Sequence, residues 1–206
     1  MNHLRFSGLP DAEQRQALED LLRGEPAIMD LLDRLEAFSL RDGWLVSGAV
    51  YNTVWNRLTG RPALTGIKDA DIIYFDDRDL SYEAEDKVIK AGERHFAGVP
   101  LPVEIRNQAR VHLWYEGRFG RAFGAPLTHA CASLERYASE THAVAVRLAG
   151  QEMEIVAPFG LDHLFSFRIV PNTVMDNEET HRAKGLRAKS VWPEIELIPW
   201  EDARCF

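Results

Sequence analysis

Apolar positions recur along this chain at two different periods, and the changes between them divide it into elements. In residues 11–23, Ala12, Ala17, Leu18, Leu21 and Leu22 recur at helical spacing, and Asp11 after Pro10 is placed to cap the helix start. Ile28, Leu31, Leu32, Leu35 and Phe38 step by three and four, predicting a second helix that stops before Asp42-Gly43. Leu45 and Val46 predict a short strand. A helix over about 49–58 follows, with Val50, Val54 and Leu58 on one side and Asn52 and Asn56 displaced from it. A second strand carries Asp69 and Asp71 at its start, and the charged run beginning at Ser81 predicts a solvated helix. Leu101, Val103 and Ile105 alternate with Pro102, Glu104 and Arg106, which predicts a strand with Glu104 on its polar face, continued by Asn107, Arg110 and His112. A helix is expected near 127–137, then two strands (143–148 and 153–157) joined in a hairpin around Gly150, and a short helix after Pro158. The division expected is a main domain over 1–170 and an extension over 171–206 packed on it, the latter holding the charged run HRAKGLRAK.

Composition narrows the class. With 46% hydrophobic and 27% charged residues among 206, the chain reads as an ordinary soluble globular protein. The net charge of −8 disfavours nonspecific capture of a nucleic-acid backbone. Cys131 and Cys205 are too few for a disulfide framework or a CxxC metal site, and read as plain thiols of a reducing compartment. No signal-peptide core and no apolar run approaching ~18 residues is present, so a cytoplasmic protein is expected and no membrane partner. The histidines lack HExxH spacing and no GxxxxGK[ST] occurs, which argues against a zinc protease and a P-loop enzyme.

The chemistry concentrates between Trp44 and Asp76. Asp69 and Asp71 are two apart, so on an extended backbone their carboxylates leave one face of the sheet. Like charges held together there call for a divalent cation, Mg2+ or Mn2+. Ser47-Gly48-Ala49, between strand and helix, offers backbone N–H groups and a positive helix end to a phosphate, with Gly48 giving close approach. Glu104 makes a third acid on a neighbouring strand. Three acids facing a Gly-backed phosphate pocket are what in-line nucleotidyl transfer requires, with Asp69, Asp71 and Glu104 as metal ligands and Glu104 alternatively as base. Asn52 and Arg110 are the further candidates for contacting the nucleotide, and Lys184 and Lys189 read more simply as part of a solvated charged helix. Trp44, Trp55 and Trp114 read as core or groove-wall aromatics.

In order and spacing, SGAVYNTVWN, DADIIYFD, VEIRNQARVH, APFGLDHLF, the IVPN segment and KSVWPEIEL resemble the uncharacterised bacterial nucleotidyltransferase-like proteins of the DNA polymerase β superfamily. The resemblance covers roughly residues 20–198. It implies the polymerase-β-type nucleotidyltransferase fold, a short mixed sheet flanked by helices, and transfer of a nucleoside monophosphate from an NTP to a small-molecule or protein acceptor. That superfamily usually has Gly-Ser or Gly-Gly where this chain has Gly48-Ala49, so a hydroxyl contact to phosphate is missing there. The alternative is a weak or inactive nucleotide-binding module on the same fold. Nucleic acid as partner is disfavoured by the acidic balance and by the absence of a basic, aromatic-studded segment.

Overall fold

A computed structural model describes residues 2–205; the side chains of residues 204 and 205 lie outside that description, and with them the expected thiol of Cys205. Helix α1 (Asp11–Arg23) and helix α2 (Pro26–Phe38) form where the helical period predicts them. Pro26 stands in the first turn of α2, where its missing N–H has no intrahelical partner to lose. Pro10, not Asp11, occupies the cap position of α1, and Asp11 instead pairs with Arg15 one turn on, at 2.6 Å. Strand β1 (Trp44–Val46) leads into α3 (Gly48–Thr59), and β2 (Ala70–Tyr74) follows. Helix α4 (Tyr82–His95) starts at Ser81, whose Oγ accepts from the Ala84 N–H at 3.2 Å.

Strand β3 (Val103–Asn107) is shorter than the alternation suggests. After Asn107 the chain turns through a 3-10 segment (Gln108–Arg110) into α5 (Val111–Phe119), so Arg110 and His112 do not continue the strand. The cause is the Asn107 side chain. Its Oδ1 accepts from the N–H groups of Ala109 and Asp76, both at 3.1 Å, which starts the turn and ties it to the end of β2. The helix expected near 127–137 is only a 3-10 run, Ala130–Arg136. Strands β4 (Ala145–Ala149) and β5 (Glu152–Val156) form the expected hairpin, with Gly150 at φ 64°. The chain ends through α6 (Asp162–Phe165), β6 (Arg168–Ile169), α7 (Glu178–Val191) and β7 (Glu196–Leu197). No helix is long and apolar enough to cross a membrane among the described residues.

The main sheet is mixed, in the order β3-β2-β1-β4-β5, with only the β2–β3 pair parallel. Period-two alternation sends its side chains to two cores. Leu45, Ala70, Ile72, Ile105 and Val146 pack under α1, α2 and α3. Trp44, Val46, Ile73 and Ala145 go to the other face, where Leu127, Ala130 and Leu134 cover part of it. Asp71, Glu104 and Arg106 share the parity of this second face, and it is there that a cleft remains open.

The C-terminal segment is anchored deep in the first core. Trp192, 1% exposed, lies 5.3 Å from Trp55, and its Nε1 donates to Asn56 Oδ1 at 3.1 Å. Gly66, at φ 73°, passes so close that a Cβ would stand 2.4 Å from the indole, so both backbone and space require glycine.

Candidate active site

Strand pairing brings Asp71 and Glu104 side by side: they are register partners across β2 and β3 and line one cleft of about 440 Å³. Asp69 stands one residue before β2 and acts on Asp71 through space, its charge raising the Asp71 pKa. Neither aspartate carboxylate has a hydrogen bond or ion pair among the described residues. Burial, the Asp69 charge and Glu104 push Asp71 up to about 6, with Lys184 and Arg106 opposing. Two unpaired carboxylates with mutual repulsion are a donor set that fits a hard divalent cation. The third acid does not join them as expected. Among the described residues no three His, Cys, Asp or Glu groups assemble into a metal cluster, and Glu104, half exposed, is held by Arg106 at 3.1 Å.

The turn before α3 is built differently from the expectation. Ser47, not Gly48, takes the unusual backbone, at φ 58° and ψ −122°, a region that costs a side-chain-bearing residue about 1–3 kcal/mol. Its N–H is spent on Val144 O (3.0 Å), its carbonyl accepts from the Val50 and Tyr51 N–H groups, and it lines the cleft. Burial raises the Tyr51 phenol to about 12, with the nearby Ser47 side chain opposing. Gly48 has no positive φ, and an added Cβ would meet Asn52 Nδ2 at 3.6 Å and Tyr51 Oη at 3.9 Å, which is ordinary contact. Glycine at 48 is therefore not dictated by the backbone, because the chain has already turned at Ser47. Gly48→Ala should fold with wild-type stability, within about 0.5 kcal/mol by urea denaturation. Ala49 and Asn52 are buried beneath the turn and do not line the cleft; Asn52 Oδ1 has no hydrogen-bond partner among the described residues.

Arg110 is elsewhere. Its guanidinium forms a buried ion pair with Glu85 of α4 and donates to Leu80 O at 2.9 Å, while Glu85 also accepts from the Asn107 N–H at 2.8 Å. It fastens α4 to the end of β3 and does not line the cleft, which corrects the expectation of a nucleotide contact. Arg110→Met, leaving Glu85 buried and unpaired, should cost about 3 kcal/mol in denaturant unfolding, while nucleotide binding per folded molecule stays unchanged.

Other groups do face the acids. Lys184, exposed as a residue along α7, lines the cleft; desolvation lowers its pKa, Asp71 opposes this, Arg187 adds to it and Asp69 opposes. His142 also lines it, 2% exposed and stacked on Tyr51 at 4.5 Å, with Nε2 lacking a hydrogen-bond partner among the described residues. Burial, then Lys184, His181 and Arg187, hold its pKa well below the ordinary histidine value, so the ring is neutral at pH 7. Tyr137 beside them is raised by burial and by Asp71. A further wall comes from α5 and the loop after it. Residues 114–123 read WYEGRFGRAF, a basic, aromatic-studded segment, so one of the two grounds for disfavouring nucleic acid falls away. The signal was in the sequence, hidden because the chain up to Tyr115 read as a continuation of the Glu104 strand and the residues after it as its exit.

A family model described as Nucleotidyltransferase matches residues 33–197. A solution NMR structure described as revealing a CCA-adding enzyme head domain is similar over 89% of this chain and 95% of that one, at 23% identity and a TM-score of 0.71. At that identity the likeness shows the fold, an α+β domain with a short mixed sheet flanked by helices. No curated protein matches the chain.

Proposed function

The chain belongs to the nucleotidyltransferase family, and from that premise we propose that it transfers a nucleoside monophosphate from an NTP to an acceptor in the cleft beneath Asp71. The observation that supports this best is Asp71 itself, unpaired and held near pKa 6 beside Asp69, next to Glu104 in register and with Lys184 across the cleft. A divalent ion, Mg2+ or Mn2+, supplies charge neutralisation at the departing pyrophosphate when bound, and Asp69 and Asp71 are the residues that hold it.

The remaining work falls to side chains of this chain. An acceptor oxygen bonds to the α-phosphorus as the α–β bridging P–O bond breaks, and pyrophosphate leaves. Glu104, once released from Arg106, stands where it can take the acceptor proton or complete the metal shell. Lys184 places a point charge against the outer phosphates. The N–H groups of Gly48 and Ala49 open α3 without a backbone partner among the described residues, and Ser47 brings this turn to the cleft. Neutral His142 offers Nε2 as a hydrogen-bonding group without adding charge. The structural neighbour's description as a CCA-adding head domain is compatible with a nucleic-acid acceptor, alongside the small-molecule and protein acceptors expected from sequence.

Incubating the protein with each α-labelled NTP and Mg2+ or Mn2+ in cell extract tests this reading. Release of pyrophosphate together with label on an acceptor, lost on EDTA addition, is the expected result. NTP binding by calorimetry without pyrophosphate release in any extract would instead make the chain a nucleotide-binding module.

A further inference from the structure

Helix α5 buries little of its own apolar surface. Val111, Trp114, Tyr115, Arg118 and Phe119 all line the cleft and are spaced at i, i+3, i+4, i+7 and i+8, one stripe of a helix. In a helix packed for stability such a stripe faces a core. Here only Val111 is buried, and exposure grows along the stripe until Phe119 is 51% open. The rings form a continuous band: Tyr115 lies 4.7 Å from Phe119 and 5.0 Å from Phe123, and the Arg136 guanidinium covers Phe123 at 4.1 Å. Arg118 sits over Phe119 at 5.6 Å and makes no ion pair or hydrogen bond among the described residues. On a chain of net charge −8, this cleft gathers Arg118 and Arg136 on its aromatic wall, Lys184 from α7 and Arg106 beside Asp71 and Glu104.

Unsaturated aromatic faces alternating with cations, beside a site for phosphate chemistry, match a ligand of planar rings joined by anionic links. Nine helical residues extend ~13 Å, room for roughly three stacked bases, whereas the cleft of about 440 Å³ has the scale of a single small-molecule ligand. The wall thus reaches further than the donor nucleotide needs. We propose that the α5 stripe and Phe123 hold the single-stranded end of a nucleic-acid acceptor, stacking its last bases and presenting its terminal hydroxyl to the acids on the floor; this rests on the transferase reading above. Stacking supplies the affinity and is indifferent to base identity, and the few free cations make the salt dependence shallow.

The test uses the full chain and a labelled single-stranded RNA of about ten nucleotides, followed by fluorescence anisotropy, with Mg·ATP binding measured separately by calorimetry. Wild type should bind the RNA. Phe119→Ser and Arg118→Gln, both at exposed positions, should each weaken it roughly 5- to 100-fold while Mg·ATP affinity holds. No RNA binding by wild type overturns the proposal. So does a parallel loss of Mg·ATP affinity, which would make the wall the donor's base site, or displacement of RNA by equimolar AMP, which would make the occupant a mononucleotide. Transfer from an α-labelled NTP to the bound RNA keeps the two readings apart: label passed to the RNA by wild type and lost in Asp71→Asn, which still binds the RNA, supports both, whereas RNA bound but never labelled by wild type overturns the acceptor role proposed here and leaves the transferase reading to the extract assay above.

Discussion

Asp71→Asn is expected to lower nucleotide transfer by roughly 10²–10³-fold or more, on the scale of removing one preorganised charge-stabilising group, and at the same time to make the metal-free protein more stable. The two effects share a cause. Asp71 is raised to about 6 by burial and by Asp69, so ionising it in the folded chain costs more than in the unfolded one. A carboxyl whose folded pKa lies above its unfolded value adds stability in full below the unfolded value of 3.8 and loses it as pH rises through 6. The Asn variant has no such loss. In EDTA, urea unfolding should show equal stability for the two proteins near pH 3.5 and a lead of about 1–3 kcal/mol for the variant at pH 8. Adding Mg·NTP should stabilise wild type only. A variant no more stable than wild type at pH 8 would mean that Asp71 is already neutralised by Lys184, and the cation reading would lose its main support.

The second large effect is expected far from the acids. Trp192→Ala should lose about 3–5 kcal/mol of unfolding free energy, because it empties one of the largest fully buried positions and leaves Asn56 Oδ1 without its donor. The loss should reach the site, since α7 immediately precedes Trp192 and carries Lys184. The KM for NTP should therefore rise in whatever fraction remains folded at low temperature. Trp192→Phe keeps the volume in part and should recover about half the stability. If Trp192→Ala unfolds with wild-type midpoint, the C-terminal segment is not part of the cooperative core, and truncation after about residue 170 would be tolerated.

Local rules carried much of the fold. The three-and-four spacing of Leu18, Leu21, Ile28, Leu31 and Leu35 could only bury a stripe by forming helices against a sheet, and both helices lie where that spacing puts them. The strict alternation of Val103, Glu104 and Ile105 decided Glu104's face, because a period of two leaves no other choice. Where a single side chain redirects the backbone, periodicity had no warning to give. Asn107 ends β3 by capping Ala109, and one such hydrogen bond turned Arg110 into a structural partner of Glu85 and made the aromatic run beyond it a helix.

What the sequence by itself determined is the order of elements from α1 to β3 and the β4–β5 hairpin, the sheet-face parity of Asp71 and Glu104, and the acidic strand that follows the Ser47 turn and its helix. All of these depend on neighbours within a few positions. Only the tertiary structure decided which charges meet: that Lys184, 113 positions after Asp71 by their numbers, faces it across the cleft, that Arg106 holds Glu104, and that the left-handed residue of the turn is Ser47. Those outcomes depend on where α7, β3 and α3 pack, and packing is set by the sum of many buried contacts, none of which leaves a mark at the residues it brings together.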